Sequence, residues 1–238
     1  MRKISRIDVK RVGRDIVKTT SKKVPVQPPE SREQLMTIID TVYDKNPVLA
    51  KLLYMQALTG LRYSDCSWLR YDDFYDEKGK FVAEFDVIQQ KVYHKVLTHL
   101  IQKKPETPLH ELEAKAKKKA RHTIHVMPAM KEIVQEQHEI YPNDEFLFAN
   151  RHHKSEGLPM NIRSANKILN AVKQELNINF ALGTHSFRKW FATALAETQP
   201  WYVVKDALGQ SSINSTIPYV VSKDADIKNA ISDLNMKY

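Results

Sequence analysis

The sequence predicts a mainly α fold with a small β-sheet, an α+β domain in which the helices lie at both ends of the chain. Three observations carry this. Capped amphipathic segments follow Ser31 and Asn46-Pro47. Two further amphipathic segments fill the C-terminal half, around Ile162–Leu176 and Phe187–Leu195. Short β-rich segments are confined to the middle, at 81–88, 122–127 and 145–148. With 238 residues, 42% hydrophobic and 27% charged, the chain can bury a sizeable core in one domain.

The chain opens on a basic arm. Residues 1–23 hold nine Lys or Arg against Asp8 and Asp15, a net of +7. Ser21-Lys-Lys-Val-Pro-Val-Gln-Pro-Pro29 cannot be helical throughout and reads as a linker, so 1–29 is set apart from the domain. Ser31 and Gln34 make a capping-box signal ahead of Leu35, Ile38, Ile39 and Val42. Pro47 suits the first position of a second helix, which presents Leu49, Leu52, Leu53 and Ala57 and stops at Gly60. A short third helix is expected to carry Cys66 to Leu69.

Phe81–Ile88, His122–Met127 and Glu145–Phe148 are expected strands. Between the first two lies a long insert, 92–121, in which Leu109 to Lys119 is polar and helix-favouring. An insert of this length in a hairpin is expected to be functional or mobile rather than core. From 161 onward the chain is helical: Ile162, Ile168, Leu169, Val172 and Leu176 share one face, and Phe187, Trp190, Phe191, Ala194 and Leu195 another. Pro200 and Gly209 bracket a last short helix.

Composition narrows the function classes. No apolar run approaches about 18 residues, so no membrane span is expected, and Met1-Arg-Lys-Ile-Ser-Arg lacks a signal-peptide core. The single cysteine, Cys66, excludes an intramolecular disulfide framework and fits a cytoplasmic protein. Beside Trp68 and Leu69, with no local partner, it is not read as a nucleophile. The histidines show no zinc-ligand spacing. The net charge of +9, with a second basic cluster at Lys115, Lys117, Lys118, Lys119 and Arg121, attracts polyanions, of which nucleic acid is the commonest. The lysine run at 117–119 reads as a solvated face or a phosphate contact.

The chemistry gathers in three short stretches. Gly183-Thr-His185-Ser-Phe-Arg188 puts a His and an Arg on one helix face. Leu208-Gly-Gln210 is followed nine residues later by Tyr219, and Thr59-Gly-Leu-Arg62-Tyr-Ser-Asp65 supplies a second Arg. Two guanidinium groups can clamp both non-bridging oxygens of a phosphodiester under attack. His185 can move the proton of an attacking hydroxyl near neutral pH. A tyrosine hydroxyl, with an unperturbed pKa of about 10, needs such neighbours to react. Each residue has a plainer reading: Arg62 as a surface residue at a helix end, His185 as a helix cap, Tyr219 as one of ten tyrosines. It is their combination that favours chemistry.

These boxes resemble the catalytic domain of the tyrosine recombinases, the phage integrase family, over roughly residues 30–222. The resemblance implies a mostly helical catalytic domain with a small antiparallel sheet and a site-specific recombinase, acting without metal or ATP through a 3′-phosphotyrosine. By the same resemblance Arg62, Arg188, His185 and Gln210 surround the phosphate and Tyr219 attacks it, Tyr238 being a poor rival. Lys91 is the best match to the family's general acid on the turn after the second strand, with Lys95 or Lys117 to Lys119 as substitutes. Asp65 supports structure. Two departures stand out. Gln210 replaces the family's usual His or Trp and can donate a hydrogen bond but not a proton, and Pro218 restricts the backbone before Tyr219.

The implied partners are double-stranded DNA, a homo-tetramer assembled on two DNA sites, and accessory DNA-bending proteins, in a nucleoid or host-DNA setting such as a mobile element. The tail 223–238, with Ile227, Ile231 and Leu234, is expected to pack on a neighbouring subunit. The family's usual N-terminal core-binding domain is absent, which fits a fragment or a minimal recombinase. Two alternatives remain open: a type IB topoisomerase or telomere resolvase with the same chemistry, and a non-catalytic DNA-binding relative.

Overall fold

The structure is a computed structural model, and it describes residues 24–210. The arm, Pro218, Tyr219, Tyr238 and the expected tail lie outside the described residues.

Two helices packed on each other start the domain. Helix α1 (Arg32–Lys45) begins where the Ser31 side chain accepts from the Gln34 amide, and Gln34 Oε1 accepts in return from the amide of Glu30, one residue before the cap. Helix α2 (Pro47–Thr59) opens with Pro at its first turn and Asn46 Oδ1 accepting from the Leu49 amide. It is buried on nearly every side, from Val48 through Ala57, as expected of a central helix. Its buried Lys51 reaches Gln137 Oε1 at 3.0 Å and Glu136 at 2.8 Å.

A single helical turn, α3 (Tyr63–Cys66), follows Arg62 directly. It lies earlier than the expected Cys66–Leu69 helix because Gly60 ends α2 and the Arg62 carbonyl at once accepts from the amides of Asp65 and Cys66. A sheet of two antiparallel strands, β1 (Glu84–Ile88) and β2 (Arg121–His125), runs in register from Glu84 opposite His125 to Ile88 opposite Arg121. The first strand begins at Glu84 rather than Phe81, which instead makes a lone bridge to Tyr75. The second stops at His125 because Pro128 opens a helix and Met127 caps it.

The third expected strand does not form. In 145–148 Phe146 bridges only Arg70, and the Leu147 amide donates to the Leu69 carbonyl. Phe146, Leu147 and Phe148 are all buried, so their apolar run reflects core burial rather than strand pairing.

In place of a tight turn, the strands are joined by a helical hairpin, α4 (Gln90–Lys103) and α5 (Leu109–Ala120). The Gln89 amide donates to the Ala120 carbonyl at 2.9 Å, so the hairpin closes where the ladder ends. Helix α5 matches the helix-favouring part of the insert, whereas α4 and α6 (Pro128–Ile140) are helices that the sequence patterns did not single out. The C-terminal part is helical as expected, with α7 (Ile162–Glu175), α8 (Thr184–Ala196) and α9 (Trp201–Ala207). The main core joins α1, α2, α6, α7 and Phe187 of α8. A small second cluster of Ala192, Val204 and Leu208 seats α9 on α8. No described helix is long and apolar enough to cross a membrane.

Candidate active site

Four chain segments meet at the end of α2. The first is the turn that stops this helix. Gly60 takes a left-handed conformation, φ 65°, and a Cβ there would overlap the Phe191 ring, so only glycine lets α8 approach this closely. Two residues on, Arg62 caps α3 in extended backbone, and its guanidinium Nη1 donates to Gln89 Oε1 at 2.6 Å.

The second segment is the start of α8. Its first turn is fixed by the Gly183 amide donating to Ser186 Oγ and the Thr184 amide donating to Asn166 Oδ1. His185 therefore sits in the first helical turn and Arg188 one turn further on the same face. Arg188 is fully buried, 0% exposed. Its Nη1 donates to the Gly60 carbonyl and its Nη2 to the Leu208 carbonyl, the latter at 3.1 Å. A buried guanidinium held by backbone oxygens keeps its full charge and its orientation.

The third segment is the end of α9. Gly209 turns left-handed, φ 60°, and brings Gln210, 8% exposed, back with its amide donating to the Lys205 carbonyl at 3.0 Å. The fourth is the junction of β1 with α4, where Gln89 is 1% exposed and Lys91 lies exposed in the first turn of α4. Asp65 joins this junction to α3: its Oδ1 accepts from the Gln90 amide at 2.9 Å, while Oδ2 lies 4.0 Å from Arg62 Nη1. Burial raises the Asp65 pKa, opposed by the Gln90 amide and by Arg62 and Arg188. The carboxylate thus acts as a brace between two elements.

His185 is held below the ordinary histidine value, first by burial and then by Arg188, Arg62, Lys91 and Lys189. It is neutral at pH 7 and ready to accept a proton. Arg62, Arg188 and Lys91 thus all act on this one imidazole. The structure brings Arg62, Lys91, His185 and Arg188 to one place, with Gln210 two residues beyond the Leu208 carbonyl that Arg188 holds, and Tyr219 lies outside the described residues.

Two residues of this cluster escaped the sequence patterns. Gln89 bonds both Arg62 and the Leu208 carbonyl. His122 sets its Nε2 3.1 Å from the Ala207 carbonyl, so this nitrogen carries the hydrogen. Its pKa is also lowered, by burial first, with Arg188 and Arg62 adding to it and the Ala207 carbonyl and Asp86 opposing. The signal for His122 was strand alternation, since it shares a face with buried Ile124. For Gln89 there was no local signal. Two nucleophile types close to Arg62 are engaged in packing. Cys66 is buried with Sγ 3.7 Å from the Leu52 carbonyl, and burial pushes its thiol well up. Tyr63 donates to the Met160 carbonyl, and burial raises its pKa as well. Among the described residues no group of three His, Cys, Asp or Glu could hold a metal ion.

The fold has clear relatives. XerA recombinase superposes with a TM-score of 0.61 over 91% of this chain and 66% of its own, at 13% identity. XerH site-specific recombinase, in a post-cleavage complex with its difH substrate, gives 0.59 over 90% of this chain and 54% of its own, at 17% identity. The Tn1549 transposon integrase, with circular intermediate DNA, gives 0.59 over 89% of this chain and 68% of its own, at 14% identity. At these identities the likeness is one of fold, and the chain spans about half to two thirds of the proteins it matches. No curated protein matches the sequence. The family model described as "Phage integrase family", however, matches residues 28–226, a span that takes in every box of the site. The chain belongs to the phage integrase family.

Proposed function

We propose that this chain is a site-specific DNA recombinase that cuts and rejoins duplex DNA through a 3′-phosphotyrosine on Tyr219. The observation that carries the reading is that the buried Arg188 and Arg62 are tied together through Gln89 and the Leu208 carbonyl, with His185 one helical turn before Arg188. Arg62 and Arg188 bind the non-bridging oxygens of the scissile phosphate and stabilise the charge that grows on them. The Tyr219 oxygen attacks phosphorus as its proton passes to His185, and the bond from phosphorus to the 5′ oxygen breaks. Lys91 gives that oxygen a proton. The products are a 3′-phosphotyrosyl strand and a free 5′ hydroxyl, and reversal on a partner strand rejoins the DNA. Gln210 donates a hydrogen bond to a phosphate oxygen and transfers no proton.

XerH is seen bound to its difH substrate and the Tn1549 integrase in complex with circular intermediate DNA, which supports DNA as the partner here. Lys117, Lys118 and Lys119, exposed on the last turn of α5, suit phosphates beside the cut. Assembly as a tetramer on two DNA sites, helped by DNA-bending proteins and by packing of 223–238 on a neighbour, completes the proposal.

The test is adduct polarity. The full chain is mixed with nicked duplexes carrying the junctions that flank its gene, each end labelled in turn. The proposal expects denaturation-resistant protein on the 3′ end of the cut and a 5′ hydroxyl on the released fragment. Protein on the 5′ end, or duplex bound without any adduct, would overturn it.

A further inference from the structure

We infer that Gln89 is a positioning residue, whose side-chain amide fixes the Arg62 guanidinium against the Leu208-Gly209-Gln210 turn and so keeps the two arginines of the site in register. The inference rests on the reading of Arg62 and Arg188 as a phosphate clamp, but its geometry stands apart from any DNA.

The hydrogen bonds form a closed circuit. Arg62 Nη1 donates to Gln89 Oε1 at 2.6 Å, and Gln89 Nε2 donates to the Leu208 carbonyl at 3.1 Å. That carbonyl also accepts from Arg188 Nη2 at 3.1 Å, and Arg188 Nη1 donates to the carbonyl of Gly60, two residues before Arg62. Four segments distant in sequence are tied by one amide and two guanidinium groups. The amide orientation is unambiguous, because a guanidinium only donates and a carbonyl only accepts.

No other side chain fills this place. Gln89 is buried at 1% exposure, so each of its polar atoms needs its partner. Glutamate keeps the acceptor for Arg62 but turns a second lone pair toward the Leu208 carbonyl. Methionine fills the volume and supplies neither bond. Asparagine is one methylene too short to span both. Gly209 marks the same contact from the other side: a Cβ there would collide with Gln89 Nε2 and stand 3.0 Å from the His122 ring. Arg188 is seated by backbone on both sides, whereas Arg62 at a short helix cap has Gln89 as the near neutral group that holds its fork.

The experiment reads Arg62 through His185, whose titration Arg62 helps to depress together with Arg188, Lys91 and Lys189. In the DNA-free full chain, the His185 ring is titrated by NMR in wild type, Gln89→Met, Arg62→Met and the double variant. Gln89→Met is expected to move the His185 midpoint upward, in the direction of Arg62→Met, and to add nothing once Arg62 is gone. Gln89→Asn, which keeps the amide, serves if the methionine variant does not fold and is expected to shift the midpoint the same way. An unmoved midpoint, or an equal shift with and without Arg62, would overturn the inference.

On a pre-bound nicked duplex Gln89→Met and Gln89→Asn should cleave about a hundredfold more slowly, the cost of misplacing a group by about 1 Å, with duplex affinity changed less than about threefold. A wild-type chain that forms no adduct would defeat the proposed reaction and leave the titration test intact.

Discussion

The two halves of the site are anchored very differently. Arg188 and His185 stand on α8, pressed against α2, and Arg188 is sealed at 0% exposure between two backbone carbonyls. Lys91 stands on α4, a helix with no buried residue, whose hairpin partner α5 buries only Leu112, Ala116 and Ala120. The proposed charge-stabilising group is thus built into the core, while the proposed proton donor rides on an appendage. Oxyanion stabilisation depends on donors that are fixed before the reaction. A proton donor can arrive with the substrate. Gln89 and Asp65 are the hinge between these regimes, since they link the first residues of the appendage to Arg62 and α3.

Breaking the core side should produce the largest effect. Arg188→Lys keeps a charge but loses the planar fork, so strand cleavage should fall by two orders of magnitude or more, on the order of 3–4 kcal/mol. The buried Gly60 carbonyl also loses the Arg188 donor, at about 1–3 kcal/mol, whereas the Leu208 carbonyl keeps the Gln89 amide. Chemical denaturation should therefore show a loss of stability alongside the rate. Cleavage within about threefold of wild type would reduce Arg188 to a structural residue.

The appendage side should respond in one readout alone. Lys91→Met should slow cleavage by about 10²- to 10⁴-fold, the usual share of a general acid, with stability within about 0.5 kcal/mol, as for other exposed positions. Rescue by a duplex whose 5′ leaving group needs no proton would sharpen the assignment. Unchanged cleavage would hand the role to Lys95 or to the lysines at 117–119.

A third contrast uses two glycines with the same backbone sign. Gly60 at φ 65° meets the Phe191 ring, and Gly79 at φ 72° faces open space. Left-handed strain alone costs about 1–3 kcal/mol. Gly60→Ala should therefore cost clearly more than Gly79→Ala, because it also pushes α8 away from α2. Equal losses in a urea series would show that the α2–α8 approach carries no special constraint.

The smallest effect is on pH. His185 and His122 both have lowered folded values, mainly through burial. Below the unfolded value of about 6.5 the unfolded chain binds protons that the folded chain refuses. Their contribution is thus present above that pH and is lost as pH falls through the folded values. Unfolding at pH 5.5 should need less urea than at pH 7.5, and His122→Gln should narrow the gap. A gap that His122→Gln leaves unchanged would show that His122 is not among its causes.

Much of this was legible in the chain. Ser31, Asn46-Pro47 and Gly60 act locally, through caps and a left-handed stop, and local chemistry shows in local sequence. The spacing of His185 and Arg188 fixed their shared face for the same reason. Helix α4 was harder to see because Val92, Val96, Thr98 and Ile101 are β-branched and weaken helix propensity, and its packing comes from α5. Phe146, Leu147 and Phe148 looked like a strand because burial and pairing favour the same side chains. Gln89 was invisible because its partners lie 27 and 119 residues away.

The most direct test of the central claim is to find the atom that DNA is attached to. Full chain is trapped on a nicked duplex from the junctions that flank its gene, digested, and the DNA-bearing peptide identified by mass spectrometry. The account predicts a single modified residue, Tyr219, and loss of the adduct in Tyr219→Phe with duplex binding nearly unchanged. A modification on Tyr238 or any other residue, or an adduct that persists in Tyr219→Phe, would contradict it.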